Sequence, residues 1–413
     1  MRVRAPWLLK KEIDKANSSL HLKEKNMNTK QKDQEYVAAT YARFPVEIVR
    51  GKGALWYDEN GKEYVDMGSG IAVNALGASD DGWVKAVTEQ LARIQHVSNL
   101  YYSEPQARLA EMLCTRTGMK RVFFGNSGAE ANECAIKVAR KYASEKHGAD
   151  TYRIITLKNS FHGRTLTTLA ATGQDVFHQD FLPLTDGFLY AEANNIASLR
   201  ALVEENKVAA IMVEIVQGEG GVLPLDRAFC EEIEKIRAEK DILFIVDEVQ
   251  TGNGRTGALY AYMNYGLSPD VVTTAKGLGG GLPIGACLLG ERVKDVLGVS
   301  SHGSTFGGNP IAAAGACHVI ERLDESLLSS VREKSDRLVS ALSEMEGVKS
   351  VSGMGLMLGV ETEKPVGEVL DACFAGGVIA LKAKNKLRLL PPLNITDKEL
   401  DRAIEAIRVA VKP

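Results

Sequence analysis

"LFIVDEVQTGNGRTG", residues 243–257, sets an apolar run of β-formers just ahead of Gly252-x-Gly254-x-x-Gly257. A strand followed by that glycine spacing is the outline of a dinucleotide-binding fingerprint. The context fails it. In a dinucleotide fold the first glycine lies in the turn directly after the strand, so that the pyrophosphate reaches a helix N-terminus. Here Asp247, Glu248, Val249, Gln250 and Thr251 intervene. The acid required roughly twenty residues on, at the end of the next strand, is also missing, because Asp270 precedes its strand. What remains is Asp247 at the carboxyl end of a strand whose unbroken apolar run suits burial on both faces. Ligands of open α/β sheets bind at such ends, and a carboxylate there can face a cationic ring nitrogen.

Further along, "SPDVVTTAKGLGGGLPIGACLLG" (268–290) ends one strand-like run at Lys276, enters a glycine loop and starts another apolar strand. A partly desolvated lysine in that position can form a Schiff base with an aldehyde. Aspartate and lysine at adjacent strand ends are what pyridoxal phosphate requires: the lysine holds the aldehyde carbon, and the aspartate keeps the ring nitrogen protonated. Either residue alone reads more simply as a helix cap or a loop lysine. A phosphate also needs an anion site. "FFGNSGAEANE" (123–133) supplies a strand, a short turn and a helix start, with Ser127 and Gly128 as hydroxyl and N–H donors, although Ser127 could simply cap the helix. "NSFHGRTLTTLAATG" (159–173) adds Phe161, able to stack on a ring, and Arg164, able to clamp a carboxylate. His162 by itself reads as a hydrogen-bonded structural histidine.

The same alternation governs the surrounding chain. "RIITL", "AAIMVEI" and "ILFIVDE" are short apolar runs, and between the last two lies the helical pattern "LDRAFCEEIEKIRAEKD". After "RVFF" a helix is predicted from Ala129, with Ala131, Cys134, Ala135, Val138 and Tyr142 on one face. These features predict an α/β fold with a mainly parallel sheet wrapped by helices. "ALWYDENGKEYVDM" (54–67) reads as two strands around an Asn60-Gly61 turn. Past Pro310 a long helical pattern runs to about Glu346, followed by "VKSVSGMGLMLGVE" and "GVIALKAKNKLRLL" as short strands and then a terminal helix. The expected division is a large domain over 70–310 and a small α+β domain from 36–69 with 311–413. Residues 1–35 are expected to be a poorly ordered tail, basic and polar without an apolar period, or the product of a start assigned upstream of Met27.

Bulk properties narrow the partners. With 413 residues the chain is too long for one ordinary core. Its 45% apolar and 25% charged residues are those of a globular protein, and a net charge of −3 gives no basic face for nucleic acid or an anionic membrane. No apolar stretch approaches the ~20 residues that span a bilayer. Six scattered cysteines without a CxxC pair fit a reducing compartment, so a cytoplasmic location is expected, with no metal site.

Taken together, "NSGAEANE", "FHGRT", "QGEGGV", "DEVQTGNGRTG", "AKGLGGGLPIGA", "HGSTFGGNP" and "LRLLPPLNIT" occur in an order and spacing that resemble the class III, fold-type I pyridoxal-phosphate aminotransferases. The resemblance covers roughly 36–413. "YARFPVEIVRGKG", "GSGIAVNALG" and "HVSNLYYSEPQ" narrow it to the group acting on acetylated ornithine. It implies transfer of the terminal amino group of N-acetylornithine to 2-oxoglutarate, in arginine biosynthesis. Carried over residue by residue, it makes Lys276 the Schiff-base lysine, Asp247 the ring-nitrogen partner, Gln250 the neighbour of the ring hydroxyl and Phe161 the stacking residue. Ser127, Gly128 and Ala129 would hold the phosphate, with Thr305 reaching it from a neighbouring subunit, which implies a homodimer with shared sites. Arg164, with Tyr41 and Ser304, would bind substrate. Arg388 would bind the second carboxylate of glutamate, and Glu219 would neutralise Arg388 when the terminal-amine substrate is present. Two departures stand out: Gly77-Ala78-Ser79-Asp80-Asp81 where the family has Gly-His-x-His-Pro, and Ile215 where it has proline. Aminotransferases for ornithine, succinyl-diaminopimelate, 4-aminobutyrate or putrescine, or an aminomutase, would keep the same cofactor residues. A non-catalytic cofactor-binding protein is the alternative from another class.

Overall fold

Short runs that are apolar at every position need cover on both sides, and the sheet they build has it. The computed structural model describes residues 27–413. These divide into two compact units, one made of residues up to Arg50 with Tyr57–Glu63, the other of Gly51–Trp56 with Tyr64–Pro413.

The second unit carries a seven-stranded sheet of β1 (Arg121–Gly125), β2 (Arg153–Leu157), β3 (Phe188–Ala191), β4 (Val208–Val213), β5 (Leu243–Asp247), β6 (Val271–Thr274) and β7 (Gly285–Leu289), in the order β1-β7-β6-β5-β4-β2-β3. β7 runs antiparallel to β6 and β1, and the other pairs are parallel. Side chains alternate between faces along each strand. Phe244 and Val246 of β5 join the cluster holding Phe229, Cys230, Ile233 and Ile236 of the helix Arg227–Lys240. Leu243 and Ile245 join Cys134, Ala135, Val138 and Tyr142 of α1 (Gly128–His147) on the other face. Each such side chain contributes about 1.5–3 kcal/mol of burial, which is why β5 tolerates no polar residue before Asp247.

The C-terminal part holds an antiparallel sheet of β8 (Val348–Met354), β9 (Met357–Thr362), β10 (Leu381–Ala383) and β11 (Lys386–Leu389), in the order β8-β9-β11-β10. Its register sets Arg388 opposite Gly359. The helix Asp397–Val411 closes the chain and starts from a capping box of Thr396 and Glu399.

In the first unit, the Asn60-Gly61 turn lies between the strands Leu55–Asp58 and Glu63–Asp66. Asp58 Oδ1 accepts from the N–H of Asn60 and of Lys62, each at 2.9 Å, and Gly61 takes φ 82°. Of the tail expected over 1–35, residues 1–26 lie outside the described residues, and Thr29–Tyr36 is a helix capped by Asn28 and Gln31. No helix among the described residues is long and apolar enough to cross a membrane.

Candidate active site

The register of the central sheet decides the site. Asp247, the last residue of β5, is paired with Thr273 of β6, and Lys276 follows two residues beyond the end of β6. Lys276 opens a 3-10 turn at φ 45°, a left-handed conformation costly for any residue with a Cβ and characteristic of functional positions. Both side chains line one cavity of about 460 Å³ at the carboxyl ends of the strands.

Asp247 is 3% exposed and fully held. Its Oδ2 accepts from Asn132 Nδ2 at 2.7 Å and meets His162 Nδ1 at 2.8 Å, while its Oδ1 accepts from the Val249 N–H at 3.0 Å. Asn132 is fixed in turn by Thr273 Oγ1, 2.6 Å from its Oδ1, and donates to the His162 carbonyl at 2.7 Å. Burial disfavours a charged His162, yet Asp247 and then Glu214 outweigh it and raise the imidazole pKa. Glu214, just past β4, also lines the cavity and accepts from the Phe161 N–H at 3.0 Å. Burial pushes its carboxyl up to about 7 against the pull of His162. Lys276 Nζ makes no hydrogen bond or ion pair with the described residues, and desolvation lowers its pKa against the attraction of Glu219 and Asp247.

Ser127 caps α1, its hydroxyl accepting from the Glu130 N–H at 3.1 Å, and leaves the first-turn N–H groups of Gly128 and Ala129 at the cavity wall. Glycine is required at 128, since a Cβ would sit 2.6 Å from the Val249 side chain. Phe161, Arg164, Glu219 and Gln250 also line the cavity. Arg388 stands behind them, with Nη1 2.5 Å from Glu219 Oε1 and 3.2 Å from Gln250 Oε1. Burial raises the Glu219 carboxyl, but Arg388 and Lys276 draw it below its ordinary value.

Three expected residues lie elsewhere. Thr305 is exposed and Ser304 Oγ accepts from Asn126 Nδ2 at 3.2 Å, neither lining the cavity. Tyr41 belongs to the first unit, where Arg43 lies 5.5 Å over its ring. At the departures, Asp80 caps the helix Asp81–Leu91 and binds His318 and Arg322, each at 3.1 Å, while Ile215 is fully buried in the larger core.

The Aminotransferase class-III family matches residues 36–411. The acetylornithine aminotransferase of Haemophilus ducreyi is 50% identical over 380 residues, covering 92% of this chain and 97% of that one. The crystal structure of N-acetylornithine aminotransferase from Stenotrophomonas maltophilia superposes with a TM-score of 0.80 at 36% identity, covering 92% of this chain and 97% of its own. Ornithine aminotransferase from Toxoplasma gondii gives a TM-score of 0.89 at 30% identity, covering 95% and 97%. The chain belongs to the class-III aminotransferases, enzymes that move amino groups with pyridoxal 5'-phosphate. The donor set fits that cofactor: an uncommitted lysine amine, a thrice-held carboxylate and a helix N-terminus face one cavity.

Proposed function

We propose that this protein transfers the terminal amino group of N-acetylornithine to 2-oxoglutarate, working as a cytoplasmic homodimer. The observation that carries the reading is the convergence of Asp247, Lys276 and the first turn of α1 on one cavity, in a chain half identical to an acetylornithine aminotransferase. Bound pyridoxal 5'-phosphate supplies an electron sink for the substrate carbon that loses its proton.

The side chains do the rest. Gly128 and Ala129 would bind the phosphate through backbone N–H groups, with Ser127 ordering the turn and Thr305 of the second subunit closing the site. Phe161 would lie against the ring, Gln250 beside its hydroxyl, and Asp247, held by Asn132, His162 and the Val249 N–H, opposite its nitrogen. Lys276 Nζ would take the proton from the reacting carbon as general base and return it as general acid, aided by its lowered pKa. Arg164 would hold the substrate carboxylate in both half-reactions. Arg388 would hold the additional carboxylate of glutamate or 2-oxoglutarate, and its pairing with Glu219 keeps it neutralised for the other substrate.

Ornithine is the second donor to weigh, given the likeness to the Toxoplasma gondii enzyme. The test is a single-turnover screen of the purified holoenzyme, following loss of the bound cofactor's visible absorbance. N-acetylornithine should react faster than ornithine, 4-aminobutyrate or putrescine; faster reaction with any of these would reassign the donor.

A further inference from the structure

The two arginines of the site are held in opposite ways. Arg388 is ion-paired, so a substrate carboxylate must displace Glu219 to reach it. Arg164 lines the cavity, and its guanidinium has neither a hydrogen bond nor an ion pair with the described residues. Two aromatic rings hold it instead: its Cζ lies 4.0 Å from the ring centroid of Phe177 and 5.5 Å from that of Phe161. The two rings meet edge-on, with centroids 6.0 Å apart at 84°.

A ring face attracts the cation through the plane of the guanidinium, whereas the five N–H donors lie in that plane. A carboxylate partner would occupy those donors and need removal; an aromatic partner orients the fork and leaves every donor available. We infer that Phe177 is a positioning residue for substrate carboxylate recognition, pinning Arg164 in a ready, ungated form. The inference rests on the proposed role of Arg164, and it explains why Arg164 can serve both half-reactions while Arg388 serves one.

Phe177 is itself anchored. It ends the 3-10 turn Asp175–Phe177, which follows Gln174, whose Nε2 donates to the Ser160 carbonyl at 3.0 Å. The next residue, buried His178, places Nε2 2.9 Å from the Leu169 carbonyl. The first contact reaches Ser160, just ahead of Phe161, and the second the helix Leu166–Ala171 that follows Arg164, so the turn is tied to both flanks of the Phe161–Arg164 loop.

The experiment compares Phe177→Leu, which keeps an apolar side chain, with Phe177→Tyr, which keeps the ring face. The ligand is glutarate, a dicarboxylate without an amine, titrated into holoenzyme by calorimetry. In Phe177→Leu its dissociation constant should rise roughly 3- to 10-fold, the scale of one cation–π contact. In Phe177→Tyr it should stay within about twofold of the unsubstituted protein, because the ring face remains. KM for N-acetylornithine and for 2-oxoglutarate should rise together in Phe177→Leu, with kcat moving less than about twofold. KM for N-acetylputrescine, which lacks the carboxylate, should not change.

Unchanged glutarate binding in Phe177→Leu overturns the inference, as does a loss in Phe177→Tyr equal to that in Phe177→Leu. An equal rise of KM for N-acetylputrescine also overturns it, by showing a general packing defect. Arg164→Ala separates this failure from that of the underlying reading. If Arg164→Ala leaves glutarate binding intact, the role of Arg164 is wrong and the inference falls with it. If Arg164→Ala weakens binding and Phe177→Leu does not, only Phe177 is misassigned.

Discussion

His162 Nδ1 lies 2.8 Å from Asp247 Oδ2, and both side chains are withdrawn from solvent. A buried carboxylate is costly unless its oxygens are satisfied by hydrogen bonds. Replacing His162 by Leu removes one of the donors that do so, at about 1–3 kcal/mol. The expected outcome is cofactor affinity reduced roughly 5- to 150-fold, read by absorbance titration of cofactor-free protein. Asn132→Ala, on the same oxygen, should weaken binding comparably. Undiminished affinity in both variants would show that Asp247 does not depend on this shell.

Lys276→Ala removes the one amine of the cavity wall that has no partner. Turnover should fall by at least about 10²–10⁴-fold, the usual share of a positioned general acid–base group. Cofactor should still bind through the other contacts, which equilibrium dialysis can check. Normal turnover would refute the assignment.

Glu219→Ala leaves Arg388 without its counter-charge at a site 3% exposed. The bared guanidinium should favour glutamate over N-acetylornithine in single-turnover measurements. The preference should shift by about tenfold or more, since breaking a buried pair costs several kcal/mol. Equal slowing of both half-reactions would make the pair structural only.

Burial pushes the Glu248 carboxyl up to about 7, although the Tyr262 N–H and the Thr251 hydroxyl donate to it. Its folded-state pKa thus exceeds the unfolded value. The stability it gives is complete below the ordinary carboxyl pKa of 4.5 and is lost as pH rises through about 7. Glu248→Gln should remove that loss, so the stability difference between variant and parent should change by up to about 3 kcal/mol across the window. Denaturant unfolding at several pH values measures it; parallel pH profiles would contradict it.

The central sheet was legible because its strands are buried on both faces and therefore write unbroken apolar runs into the chain, ending at Asp247 and just before Lys276. The buried face of α1 was legible from its period. The polar shell around Asp247 was not, since His162 and Asn132 reach it across separations of 85 and 115 residues. A usable signal existed for Asn132, an amide beside the apolar face of a buried helix. Glu214 carried another, an acid closing a buried parallel strand as Asp247 does. Phe177 gave none, because an aromatic in a polar loop meets Arg164 only once the turn has folded back.

The helix α1 lines the cavity at two points, with Gly128 starting its first turn and Asn132 gripping Asp247. Four residues of helix rise about 6 Å, and that rise is nearly incompressible. On the proposed placement, one stretch of backbone would act as a caliper, setting the span between the phosphate at the helix start and the ring nitrogen facing Asp247. A phosphorylated aldehyde lengthened by a single methylene between ring and phosphate would be gauged and refused by the frame, before any side chain judged its chemistry.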